Sequence, residues 1–369
     1  MLVGIVSNRP HRLRPTLLNV LEALKNEGIR ADVVVVDGSG QAAQNQAFVA
    51  EAANPYGVPA LVLDEKAFME RQAPGYRFLF EGPYGGPRNA ILLEAIQRKR
   101  DVVFLDDDVV PVEPFFTRFA GHLKSHGLVV GAYAGRRTGV SFLMDKASRA
   151  LTDFREHHIS RKEALVKLRE AFSGSSDEWP PSVEGYQAGC LAVSKTLLET
   201  YCFFPTRFRI EDGVFCSLSK YFSDQEAFQP FLPEAPVGFH KPEKYGLDTL
   251  VNYYVDGVQG SCIGLAAEYA LKQFGRNPTD EQVQEACREG PKSLLNEFSP
   301  ERFELRRQQQ KSLDEAVKKL EDAEIQEQYF RFALTSLKDV TLLDLEAQVK
   351  RFLRVQRQWR ALTEPFLGN

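Results

Sequence analysis

The sequence predicts an α/β fold: a doubly wound mixed sheet over the first two-thirds of the chain, followed by a helical C-terminal extension. Three observations carry this. Strand-length apolar runs at Leu2–Val6, Asp32–Val36 and Val102–Leu105 alternate with helix-patterned segments. The longest run, Val33-Val34-Val35-Val36, is β-branched and does not alternate with polar residues, which marks a strand covered on both faces in a parallel sheet. Beyond about residue 245 the composition turns polar and helix-prone.

The first strand is broken by Ser7-Asn8-Arg9-Pro10, and Leu17, Val20, Leu21 and Leu24 then mark one helix face. The second strand ends in the turn Asp37-Gly38-Ser39-Gly40. Ala60–Leu63 and Arg77–Phe80 read as further strands. Gly85-Gly86-Pro87-Arg88-Asn89 leads into a helix from Ala90 to Arg98, and the Val102 strand follows. Leu128–Gly131 and Gly189–Val193 read as later strands of the same sheet. Residues 150–183 between them are charged and include Ser173–Pro181, so they read as an exposed insertion, or as a flap with Trp179 as a stacking surface. In the C-terminal third, Leu313, Val317 and Leu320 share one helical face, and Leu345, Val349, Phe352, Gln356 and Trp359 share another.

At 369 residues, 43% of them hydrophobic, the chain can bury a large core. A net charge of −4 argues against a nucleic-acid binder. The five cysteines lack CxxC spacing, which argues against a zinc site or a disulfide framework and fits a reducing cytoplasm. No run approaches the ~20 apolar residues of a membrane span, and the start of the chain lacks the pattern of a signal peptide.

The most informative segment is Val102-Val103-Phe104-Leu105-Asp106-Asp107-Asp108. Three carboxylates stand where a buried strand leaves the core. Buried unpaired carboxylates are costly, so the site is either a solvated turn or a cation holder. Asp106 and Asp108, two residues apart, can converge on a hard cation such as Mg2+ or Mn2+. Such a cation could neutralise a diphosphate. Ligands of doubly wound sheets bind at the carboxyl ends of strands, where Asp37 also falls.

The ordered set Ser7-Asn8-Arg9, Asp37-Gly38-Ser39, Gly86-Pro87-Arg88-Asn89, Asp106-Asp107-Asp108, Gly189, Glu211-Asp212 and His240 resembles the GT-A nucleotide-sugar glycosyltransferases, especially the family 2-like group, over Leu2 to about His240. The resemblance implies a GT-A-type sheet and a role for each residue. Ser7 and Arg9 lie under the nucleotide. Asp37 takes the base or ribose, though it could equally cap its own turn. Arg88 and Asn89 support the nucleotide and metal loop; Asn89 could also cap a helix, and Arg88 could pair with a buried carboxylate. Asp106 meets the ribose or the metal shell, Asp108 is the direct metal ligand, and Asp107 is exposed or structural. His240 is a further ligand to Mn2+ or Mg2+, unless it is a structural histidine, and Lys241 pairs with the diphosphate or is merely solvated. Asp212 deprotonates the acceptor, with Glu211 orienting it, unless the pair simply starts a helix.

The function so implied is metal-dependent transfer of a sugar, a hexose by expectation, from a UDP- or GDP-linked donor to a hydroxyl acceptor, with inversion. The alternatives are a retaining enzyme, a sugar-phosphate nucleotidyltransferase and a non-catalytic scaffold. The second aspartate often found beside the first in the Asp-Gly-Ser turn is absent, since Val36 precedes Asp37. His157-His158 falls in the insertion. Residues 1–245 are expected to form the catalytic domain, with nucleotide-binding and acceptor halves meeting near residue 110. Residues 246–369 form the helical region, through which two copies of the chain could pair.

Overall fold

The computed structural model describes the chain except residues 83–84, 136–139, 173–178, 183–188, 201–202, 207–210, 223–227, 230–235, 241–246, 297–310, 339–343 and 368–369. The strands are β1 (Leu2–Ser7), β2 (Asp32–Asp37), β3 (Ala60–Asp64), β4 (Val102–Asp106), β5 (Val109–Val112), β6 (Leu128–Val130), β7 (Ala132–Gly135), β8 (Trp179–Ser182), β9 (Cys190–Val193), β10 (Phe228–Gln229) and β11 (Val237–His240). The helices of the first half are α1 (Pro10–Asn26), α2 (Ala42–Ala53), α3 (Glu65–Arg71), α4 (Gly85–Gln97), α5 (Phe116–His122), α6 (Val140–Arg155) and α7 (Arg161–Phe172). The second half adds α8 (Lys195–Leu198), α9 (Glu211–Phe222), α10 (Leu247–Phe274), α11 (Asp280–Glu289), α12 (Lys292–Asn296), α13 (311–319), α14 (Ala323–Lys338) and α15 (Leu345–Leu367).

The main sheet has the order β10-β6-β9-β4-β1-β2-β3. Strands β3, β2, β1 and β4 are parallel, and β9 runs antiparallel to both β4 and β6. This is a mixed, doubly wound α/β sheet with a helical C-terminal extension. A smaller sheet, β5-β11-β7-β8, starts directly after the three aspartates. In the parallel register Ser7 faces Asp37, Val6 faces Asp106, and Asp37 faces Asp64. Four strand ends therefore carry polar side chains to one edge of the sheet.

Alternate residues of each strand feed opposite cores. Val3, Ile5, Val33, Val35, Val103 and Leu105 pack under α1, α2 and α5. Leu2, Val34, Val36, Val102 and Phe104 face α4, α9, α10 and α15. On that side Trp359 of α15 is fully buried against Phe80 and Phe203, with both ring-centroid distances 6.3 Å, and Phe203 stacks on Phe352 at 5.3 Å. Burying aromatic residues of this size stabilises a fold by about 2–3 kcal/mol each before chain entropy is counted. The C-terminal helices thus complete one face of the sheet.

Two sequence expectations are corrected. Arg77–Phe80 is not a strand: Leu79 N–H donates to Tyr76 O at 3.0 Å and Phe80 N–H to Arg77 O at 3.0 Å, a three-residue helical turn. Four apolar residues are too few for periodicity to separate strand from turn. Of the expected insertion at 150–183, residues 150–172 are not an exposed loop but lie in two helices with a buried face, and residues 173–178 and 183 lie outside the described residues. Ala147, Leu151, Ala164 and Leu168 of α6 and α7 are fully buried against Val317 and Leu320 and against Tyr329 of α14, forming a third core. Arg161 Nε donates to Leu320 O at 2.7 Å, and Arg169 pairs with Asp322 at 2.8 Å. Charged outer faces disguised this helical hairpin. The helix expected at Ala90 begins at Gly85, and Gly85 and Gly86 lie so close to the carbonyls of Pro205 and Phe80 that a Cβ would collide with them.

Candidate active site

The strand end Asp106–Asp108 builds the centre of the site. Asp106 leaves β4 half-buried, and Arg88 of α4 donates to its Oδ1 at 2.7 Å. Asp107 turns inward and is 2% exposed. Ser7 Oγ donates to its Oδ2 at 2.8 Å, Thr16 Oγ1 donates to its main-chain oxygen at 2.6 Å, and Arg9 pairs with its carboxylate. Burial pushes the Asp107 carboxyl above its ordinary range despite Arg9 and Ser7, with Asp108 adding like charge. Asp108 is 6% exposed, and Arg9 Nη2 donates to its Oδ2 at 3.1 Å. Of the two readings of Asp107, the buried structural one describes its position.

Arg88 joins this edge to the start of α9. Its other amino nitrogen donates to Glu211 Oε1 at 2.9 Å, and both side chains are less than a tenth exposed. Burial alone would lower the Arg88 pKa, but Asp106, Glu211 and Asp212 together hold it well above the usual arginine value. The Glu211 carboxyl is pushed up to about 7: burial dominates, Arg88 opposes it, and Asp212 adds like charge. Arg88 also serves Asp106, so Glu211 is not fully compensated. Asp212 is half-buried beside it, and its Oδ1 accepts the Gly213 N–H at 2.7 Å within the first turn of α9.

Asn89, adjacent to Arg88, points into the core. It donates to Leu79 O and Phe204 O, both at 2.8 Å, and accepts the Phe204 N–H at 2.7 Å. It clamps two loops and is fully buried. It lies in the interior of α4 and not at its cap.

Asp37 ends β2 and is 1% exposed. Its Oδ1 accepts from Ser39 Oγ at 2.7 Å and from Ser39 N and Asn45 Nδ2, both at 3.2 Å. Its Oδ2 is buried and has no hydrogen-bond partner among the described residues. Asp37 lines a cavity of about 360 Å3 together with Asp64, Glu65, Met69, Phe80 and Glu81. Burial pushes the Glu65 carboxyl up, with Asp37 and Asp64 adding to the shift.

Strand β11 brings His240 toward this centre by register: its main chain faces Val109, the residue after Asp108, and Gly135 on the other side. The His240 side chain and all of Lys241 lie outside the described atoms. Among the described residues no group of three His, Cys, Asp or Glu side chains could hold a metal ion. His158 is exposed beside Glu156 and remote in sequence from these clusters. The chain therefore brings together Ser7, Arg9, Asp107 and Asp108 as one cluster, and Arg88, Asp106 and Glu211 as a second, while Asp37 opens on the cavity.

Sequence reasoning missed Asp64, Glu65 and Tyr133. Asp64 ends the Ala60 strand as Asp37 ends its own, and that parallel was the available signal. Tyr133 carries none: its hydroxyl lies against Gly189, where a Cβ would strike both it and the Asp106 carboxylate. Among the described residues no helix is long and apolar enough to cross a membrane.

No protein-family model matches the chain, and no curated relative matches it. Among solved structures it is similar to the mannosyltransferase PcManGT from Pyrobaculum calidifontis in complex with GDP-Man and Mn2+, at 14% identity over 98% of this chain and 86% of that one, with a TM-score of 0.41. It is similar to residues 1–349 of S. aureus TarS at 13% identity over 98% and 91% of the two chains, with a TM-score of 0.40. Mouse xyloside xylosyltransferase 1 in its apo form is similar at 12% identity over 63% and 77%, with a TM-score of 0.28. Likeness at this level assigns no substrate and no residue role to this chain.

Proposed function

We propose that the chain is a GT-A-type glycosyltransferase that moves a sugar from a nucleotide diphosphate donor to a hydroxyl acceptor with a divalent cation. The observation that carries this reading is the convergence of Ser7, Arg9, Asp37 and Asp106–Asp108 on one sheet edge, with β11 delivering the His240 backbone beside Val109. The donor set suits Mn2+ or Mg2+: carboxylate oxygens from Asp106 and Asp108, and an imidazole from His240. When bound, the cation would supply Lewis-acid neutralisation of the departing diphosphate.

The chain's own residues do the rest. Ser7 and Arg9 sit under the nucleotide, and Arg9 carries positive charge to the diphosphate, as does Lys241. Asp37 accepts hydrogen bonds from the base or ribose. Arg88 holds Asp106 and Glu211 in register across the site, and Asn89 fixes the loops on either side of it. Glu211 orients the acceptor. Asp212 takes the proton of the acceptor hydroxyl as that oxygen bonds to the anomeric carbon, while the bond to the diphosphate breaks on the opposite face. This gives inversion.

The test is Asp212→Asn. Loss of the base lowers turnover by about 10²–10⁴-fold while donor binding and thermal unfolding stay near wild type, and NMR of the product shows the inverted anomer. Near-full turnover in the folded variant, or a retained anomer, overturns the base assignment.

A further inference from the structure

The Asp106 carboxylate is bounded on two sides. Its Oδ1 accepts from Arg88 Nη2 at 2.7 Å. Its Oδ2 lies over Gly189, in a space that it shares with the Tyr133 hydroxyl: a Cβ on Gly189 would overlap both oxygens. The Asp106 side chain is still 36% exposed, so part of it stays open to a ligand. Tyr133 reaches this point from β7, an inner strand of the smaller sheet, where its main chain is set between Gly238 of β11 and Ser182 of β8. Its side chain packs on the core that holds Val103, Leu105 and Val109. A side chain carried by a paired strand is placed more precisely than one on a loop. Burial raises the Tyr133 hydroxyl well above its ordinary value, and the Asp106 charge is the next cause. The hydroxyl therefore keeps its proton and offers Asp106 a donor without a charge.

Resting on the glycosyltransferase reading, we propose that Tyr133 is a positioning residue for metal binding: Arg88 confines Oδ1 of Asp106, the Tyr133 hydroxyl confines Oδ2, and the carboxylate is held in one rotation with its open side toward the divalent cation. Arg88 alone leaves the carboxylate free to turn about its bond to that guanidinium; a second group on the other oxygen removes this freedom before the cation arrives. Groups that orient a metal's ligands in this way are worth about 10–100-fold in metal affinity.

Tyr133→Phe tests this, because it keeps the ring and deletes only the hydroxyl. Mn2+ binding to the full chain is followed by electron paramagnetic resonance, with Mn2+ alone, with GDP and with UDP, beside thermal unfolding of the same samples. The variant loses at least about tenfold in Mn2+ affinity and unfolds at the wild-type temperature. In an Asp106→Asn background the same change costs less than about twofold, since the charged oxygen it confines is gone. Wild-type Mn2+ affinity in Tyr133→Phe, an equal loss in both backgrounds, or loss of cooperative folding overturns the positioning role and leaves the transferase reading standing. A wild-type chain that binds Mn2+ under none of the three conditions overturns both.

Discussion

Removing Arg9 tests the electrostatics of the site most directly. Its guanidinium is 22% exposed and pairs with two aspartates that are 2% and 7% exposed. Arg9→Ala leaves Asp107 with Ser7 Oγ as its remaining side-chain donor among the bonds described above. Breaking a buried ion pair costs about 3–5 kcal/mol, and the partial exposure of Arg9 puts the expected loss at the low end, about 3 kcal/mol at pH 8. Asp107 already titrates above its ordinary value with Arg9 present. Without Arg9 it rises further, so the native state holds its proton more tightly than the unfolded chain. The penalty is therefore smaller at pH 5 than at pH 8. A divalent cation that binds the variant's carboxylates more tightly than the wild type's, where Arg9 pairs with Asp108, recovers about 1.4 kcal/mol of that loss for each tenfold gain in affinity. Urea unfolding followed by circular dichroism, at both pH values and with and without Mn2+, measures all three effects. A loss that ignores pH and Mn2+, and that persists in an Asp107→Asn background, would falsify this account.

Asn89→Ala strips partners from the Leu79 carbonyl and from both main-chain groups of Phe204; a stability loss of about 3–5 kcal/mol is expected in denaturant titration, and less than about 1 kcal/mol would mean the clamp is redundant. Gly189→Ala drives a Cβ into the Tyr133 hydroxyl and the Asp106 carboxylate, so Mn2+ affinity should fall at least about tenfold, roughly 1.4 kcal/mol, and wild-type affinity by calorimetry would refute the role of that approach. Glu211 has a folded-state pKa of about 7 against an ordinary 4.5. Its stabilising contribution is full below the lower value and is lost as pH rises through the upper one, about 3 kcal/mol in all. The stability difference between pH 4.5 and pH 8 should flatten in Glu211→Gln, and an unchanged pH profile would contradict the shift.

The strands were legible wherever burial on both faces produced unbroken apolar runs, as at Val33–Val36 and Val102–Leu105. The strand-end polar residues Ser7, Asp37 and Asp106 were legible too, because a carboxylate after such a run has few places to go. What escaped were features set by distant partners. Nothing local to Ala147 or Leu168 says that residues 311–330 will cover them, so a buried hairpin resembled a solvated insertion. Glu65 carries no signal in the sequence, and only the register of β2 against β3, which pairs Asp37 with Asp64, brings it near Asp37. Arg88 and Asn89 are neighbours in sequence, yet one reaches two carboxylates and the other two main-chain loops. That division depends on the rotation of α4 against the sheet, which no short motif encodes.

The position of α15 has a consequence for how the chain is made. Trp359 and Phe352 cover Phe80 and Phe203, residues translated more than a hundred codons earlier. On the ribosome, at about 5–20 residues per second, the nascent sheet must carry one apolar face uncovered for several seconds or longer. Until α15 emerges and docks, that face is the natural target of chaperones and the natural seed of aggregation. A chain halted before Leu345 would keep the aspartates of its site and lack the surface that seals the fold.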